Sequence, residues 1–205
     1  MSGRFALFRW TPAFAALPGF PEGQQPHWNL APGAQILLQR AEGEQRSLVR
    51  ARWGLTPPWL KDLSKTPAHA RAETLVDQPM FREGFRLRRG LIPANGFYEW
   101  RGTARKRPYW LSSQDSMLYF AALWEAYPVE GHVYFSTAMV TRAAASLRRP
   151  LLLNEQQQQR WLAADTPLDE LQAILVDTSQ VLRERVLSNL VNDPKLDGPE
   201  CLTPA

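Results

Sequence analysis

Across its 205 residues the chain has one cysteine, Cys201, and three histidines, and only four of its 24 basic residues are lysine. A lone cysteine makes neither an intramolecular disulfide nor a thiolate zinc site, so a cytoplasmic protein is expected. His27, His69 and His132 lie far apart in sequence without metal-ligand spacing, and no metal is expected. Long apolar runs are missing as well. The longest uncharged stretch near the N-terminus, residues 10–21, is short and is interrupted by Pro12, Pro18 and Pro21. It can neither span a bilayer nor serve as the core of a secretory signal, so no membrane partner is expected. A phosphate-binding loop, a dinucleotide fingerprint, a His-Glu-x-x-His zinc motif and a Gly-x-Ser-x-Gly elbow are all lacking, and no cofactor is implied.

What is present is aromatic, arginine-rich and β-patterned. Apolar residues make up 44% and aromatics 11%, too much for a disordered chain. The net charge of +4 is small, but the arginines are unevenly spread. Arg82, Arg86, Arg88, Arg89, Arg101, Arg105 and Arg107 fall in one window, whereas acids gather toward the C-terminal third. Arginine suits bidentate phosphate contacts and stacking on bases, although a solvated surface would look the same. No linker or repeat divides the chain, so one domain over residues 1–205 is expected.

Runs rich in Val, Leu, Tyr, Phe and Trp predict strands over residues 34–40, 46–53, 91–100, 108–113, 117–126 and 132–141. The first two are joined by a hairpin at residues 41–44, and Asn95-Gly96 bends the third. Helices are expected at residues 11–17, at 154–164 behind the cap Asn154, and at 168–175, while 181–191 suits either state. The class is α+β, β-dominated, with a few helices.

Three regions carry chemistry. At Met1-Ser2-Gly3-Arg4, a small second residue favours removal of Met1 and exposure of Ser2. Its α-amine, with a reference pKa of roughly 7.7–8.0, is in part unprotonated near neutrality and can attack a carbonyl; an ordinary frayed terminus is the bland alternative. In Leu91-Ile92-Pro93-Ala94-Asn95-Gly96-Phe97-Tyr98-Glu99-Trp100, the carboxylate follows an apolar strand. Burial would push its pKa up, as suits an acid or base, or a nearby arginine would hold it ionised. The segments around Trp28–Gly33, Trp53–Trp59 and His69–Thr74 place tryptophans beside turns and arginines, as a single-strand stacking platform does or as a core does.

In this order the blocks Ser-Gly-Arg-Phe, Trp-Asn-Leu-Ala-Pro-Gly, Trp-Gly-Leu-x-Pro-x-Trp, Ala-Arg-Ala-Glu-Thr, Leu-Ile-Pro-Ala-x-Gly-Phe-Tyr-Glu-Trp, Arg-Arg-Pro-Leu-Leu-Leu and Asn-Asp-x-x-x-Asp-Gly-Pro-Glu resemble the SOS-response-associated peptidase (SRAP) family of abasic-site processing proteins. The likeness runs from Ser2 to about Leu202. It implies a single β-rich, barrel-like domain, acting as a monomer on single-stranded DNA with an abasic site in the damage (SOS) response. It also implies an N-terminal cysteine that crosslinks the ring-opened aldehyde through imine and thiazolidine formation. Mapped onto this chain, the catalytic positions are Ser2, His69, Glu99 and Ser146, and the DNA-binding positions are Gly3, Arg4, Pro32, Trp53, Trp59, Arg71 and Glu73. Three catalytic positions depart from the family: Ser2 stands for cysteine, His69 for asparagine and Ser146 for histidine. The expectation is therefore a binding protein without stable crosslinking or autopeptidase chemistry. The alternative is an enzyme of altered chemistry, in which Ser2 acts with His69 and Glu99 as an abasic-site lyase or serine-type peptidase.

Overall fold

The computed structural model describes residues 3–114, 116–145, 147–177 and 180–205; Ser2 and Ser146 lie outside the described residues. In chain order the elements are β1 (Phe5–Leu7), α1 (Pro12–Ala15), β2 (His27–Leu30), β3 (Gln35–Glu42), β4 (Gln45–Trp53), β5 (His69–Arg71), α2 (Pro79–Leu87), β6 (Arg89–Ala94) and β7 (Gly96–Arg101). There follow β8 (Arg107–Ser112), β9 (Leu118–Val129), β10 (His132–Ala144), β11 (Leu147–Pro150), α3 (Glu155–Leu162), α4 (Leu168–Val176) and β12 (Arg183–Val186).

The expected hairpin forms. β3 and β4 pair antiparallel from Gln35↔Arg52 to Glu42↔Gln45, and Gly43 takes the left-handed φ of +63° that the tight turn demands. β3 then pairs β6, β6 pairs β9, β9 pairs β10, and β10 runs parallel to β4. That ring closes a five-stranded barrel, which leaves no open edge among its members. Its strands alternate cleanly. Ile92, Phe120, Ala122 and Met139 face one apolar core, whereas Leu91, Ala121, Leu123 and Val140 face a second, shared with α2, α3 and α4. Both faces of β6 are thus covered, which is why residues 89–94 are buried without a break.

A second sheet, ordered β12-β8-β7-β1-β2, lies over the first core. Phe5 of β1 is the pin between them, edge-on to Trp53 at 5.2 Å and to Phe120 at 5.7 Å. The helix at 154–164 is realised as α3, with a full capping box between Asn154 and Gln157. Residues 11–17 supply only the single turn α1, capped by Thr11. Residues 181–191 become β12 followed by a 3-10 turn at Asn189–Asn192.

Helix α2 was not anticipated. Phe81, Gly84 and Phe85 do recur at helical spacing on its buried face, but a glycine and three arginines among residues 79–88 weaken the pattern. Its end is secured by Arg89, whose guanidinium donates to the carbonyls of Phe85 and Arg86 and across to Trp161 and Ala163 at the end of α3. One buried cation thereby satisfies two helix C-termini.

Candidate functional site

The antiparallel register of β1 on β7 sets the site's geometry. Phe5 faces Phe97 and Ala6 faces Gly96, and the Tyr98 amide donates to the Arg4 carbonyl at 3.0 Å. The other end of β1 is held by Asn95, at the bend between β6 and β7. Its Oδ1 accepts from the amides of Phe8 (2.8 Å) and Arg9 (3.0 Å), and its Nδ2 donates to the Arg9 carbonyl (2.9 Å). Arg4 does not reach into solvent. Its guanidinium lies 4.7 Å over the Trp100 ring and donates to the Val191 carbonyl and to Asn29 Oδ1. The Asn29 amide donates in turn to the carbonyls of Asp193 and Leu196, while Asp197 accepts from the amides of Trp28 and Asn29. The blocks at 28–33 and 192–200 are therefore partners that lock the C-terminal segment onto β2.

Glu99 is 2% exposed. Its carboxylate accepts from Arg149 Nε (2.8 Å) and Nη2 (3.1 Å) and from Arg101 Nε. Both arginines also reach Glu184 on β12, so two carboxylates and two guanidiniums form one network. Burial presses the Glu99 pKa upward, but the bonds to Arg149 and Arg101 outweigh it and hold the group below its ordinary 4.5. Of the two expectations for this carboxylate the ion pairing prevails, and a carboxylate so held can still accept a proton as a base. Near neutrality Glu99 accepts hydrogen bonds and stabilises an adjacent cation; it has no proton to give.

Arg148, next to Arg149 on β11, points the other way, as strand alternation requires. Its Nη2 donates to Glu73 at 2.7 Å and to the Thr141 carbonyl at 2.8 Å. Glu73 also accepts from the Ala143 amide at 2.8 Å. Burial raises its pKa, but Arg148 and the backbone amides of Glu73 and Ala143 together outweigh it and hold the group below its ordinary value. The two consecutive arginines of β11 are therefore what brings the Glu73 and Glu99 sides together.

β5 runs along β10, with His69 beside Met139 and Arg71 beside Thr141. Arg71 is exposed, and His69 is half-buried with its ring edge-on to Trp53 at 5.5 Å. Trp53 is fully buried and donates its indole N–H to the Ala68 carbonyl; it belongs to the core and offers no stacking face, a correction to its expected place in a platform. Pro32 is exposed in the turn stapled to Trp53 by the Gly33 amide. Trp59 stands on the loop after β4, 59% exposed. Among the described residues no group of three or more His, Cys, Asp or Glu side chains is arranged to hold a metal. Arg149, Arg101, Arg148 and Glu184 were missed from sequence, although the Arg-Arg-Pro block was in view; nothing local tells which carboxylate an arginine will meet.

Residues 1–194 match the profile of a family described as SOS response associated peptidase (SRAP). The chain is 34% identical to the abasic site processing protein YoqW of Bacillus subtilis, over 98% of this chain and 99% of that protein. It is 26% identical to the abasic site processing protein YedK of Escherichia coli over the full length of both. In fold it is similar to a protein of Bacteroides thetaiotaomicron, with a TM-score of 0.83 at 20% identity, covering 98% and 99% of the two chains.

Proposed function

The chain belongs to the SOS response associated peptidase family, and from that premise we propose that it binds single-stranded DNA at abasic sites without forming a permanent crosslink. The observation that supports this reading is the pairing of β1 with β7, the strand that carries a clamped, ionised Glu99. After loss of Met1, the Ser2 amine adds to the ring-opened aldehyde, and the carbinolamine expels water to give an imine. The family's next step needs a sulfur nucleophile, and a serine hydroxyl keeps its proton near neutrality unless a base takes it. The adduct therefore stays hydrolysable. Arg71 and Trp59, both exposed, are the side chains suited to phosphate and base. Arg4 and Glu73 act indirectly, one seating Trp100 and the other fixing Arg148.

The serine-peptidase alternative, with His69 as base and Glu99 as its orienter, has less support, because the Glu99 carboxylate is engaged by Arg149 and Arg101. A lyase that goes on from the same imine to cleave the strand is the other branch of that alternative. The test is a crosslinking assay on single-stranded DNA with one abasic site, with and without borohydride, beside Ser2→Cys. Salt-sensitive binding, an adduct only under borohydride, and a persistent adduct only for the cysteine variant are expected. The absence of both binding and a trapped adduct would overturn the proposal.

A further inference from the structure

Away from Glu99, a cavity of about 380 Å³ opens between β4, β10, the end of β9 and the loop that follows β4. We propose that this cavity is a second nucleobase site, which takes a base of the bound strand a few nucleotides from the abasic position; it rests on the DNA reading above. Its walls are aromatic, formed by Tyr127, Tyr134 and Phe135, with Leu63 of the loop across from them. Tyr134 is 55% exposed, far more than a ring placed only for packing.

The polar lining comprises the Arg52 cation, the Gln35 amide and the hydroxyls of Thr56, Thr66 and Ser136. Arg52 is tethered by one bond, Nη1 to Thr66 Oγ1 at 3.0 Å, and pairs with no carboxylate among the described residues. Gly54, at φ +153°, makes room for that guanidinium, since a Cβ there would stand 2.8 Å from Nη1. Ser136 is only 5% exposed. Its Oγ accepts from the Thr56 amide at 2.8 Å, and its own hydrogen finds no acceptor among the described residues. No carboxylate lines the cavity. A cation, an unspent hydroxyl and aromatic walls together select a planar group with an acceptor-rich edge, which is the chemistry of a nucleobase carbonyl face.

The position fits a continuing strand. β4 and β5 flank the same long β10, with Ser136 beside Arg52 and Thr141 beside Arg71. The separation from Thr141 to Phe135 is about 20 Å of extended chain. The loop joining β4 to β5 carries Trp59 between Thr56 and Leu63, so one loop presents both the exposed indole and a wall of the cavity.

The test scans 5-iododeoxyuridine along an abasic single strand and identifies photo-adducts by mass spectrometry. One position should label the peptide containing Tyr134. Tyr134→Ala and Arg52→Gln should each raise Kd about tenfold for strands long enough to reach the cavity. Neither should affect short strands, and thermal melts establish that both variants are folded. A strand that binds yet labels that peptide from no position, with both variants binding as the parent does, overturns the site and leaves the DNA reading intact. Should no strand bind at all, equilibrium dialysis with thymidine monophosphate separates the sources. Saturable uptake lost in both variants keeps the site with a free nucleotide as its occupant, and no uptake overturns it.

Discussion

Glu99 owes its charge state to the company it keeps. Burial would make it a weak acid with a proton to donate, and two guanidiniums reverse that. Replacing Arg149 by leucine removes two of the three arginine hydrogen bonds to the carboxylate. The Glu99 pKa should then climb, read from a carbon-13 titration of the glutamate side chains. Arg148→Leu, which touches Glu73 and Thr141 instead, should leave the Glu99 titration where it was. An unchanged Glu99 in Arg149→Leu would mean that Arg101 is a sufficient clamp.

The bend between β6 and β7 does for an element what Arg149 does for a side chain. Asn95, 6% exposed, spends both ends of its amide on the backbone just after β1. Gly96 beside it admits no larger residue, because a Cβ would lie 2.4 Å from the Trp110 ring. Asn95→Ala takes this partner from the partly buried Phe8 amide and from the Arg9 amide and carbonyl, and should cost about 1–3 kcal/mol in urea unfolding. Asn95→Asp keeps the two acceptor bonds and should recover part of that loss. Equal stability in all three proteins would show that β1 is held by Phe5 and its pairing alone. The bend was legible from Asn-Gly in an apolar run, but its purpose was not, because the amides it serves lie 86 and 87 residues away.

Ion pairs join the two sheets through Arg149 and brace the segment after β5 through Arg148, and they share one pH response. Glu99, Glu73 and Glu184 all have pKa values below 4.5 in the folded protein. In this range the unfolded chain binds the protons more readily, so the stabilisation is complete above about pH 4.5 and is lost as the pH falls through the folded values. Urea midpoints should stay level between about pH 5 and 7 and then drop on acidification. Glu99→Gln should begin less stable at pH 7 and lose less below pH 4.5. A parent protein whose midpoint does not move down to pH 3 would remove these carboxylates from the account of what docks β11 and β12.

The strand runs, the hairpin expected at residues 41–44, the Asn154 cap and the ordered motif blocks were readable from the chain, because each depends on neighbours within one turn or one hairpin. Strands of three or four residues such as β1, β5 and β11 were not, since such pieces exist only through the partners that pair with them. Trp53 and Trp59 look equivalent as letters, yet one is wholly buried and the other is 59% exposed, because only the first lies in a strand of the closed barrel. Glu99 likewise had two readings on paper. The choice between them fell to Arg149, 50 residues further along the chain, which reaches the carboxylate only when β11 is laid against β10 and the barrel is brought up to β7. Local patterning sets which segments become strands and helices; burial and ion pairing are settled between segments that meet only on folding.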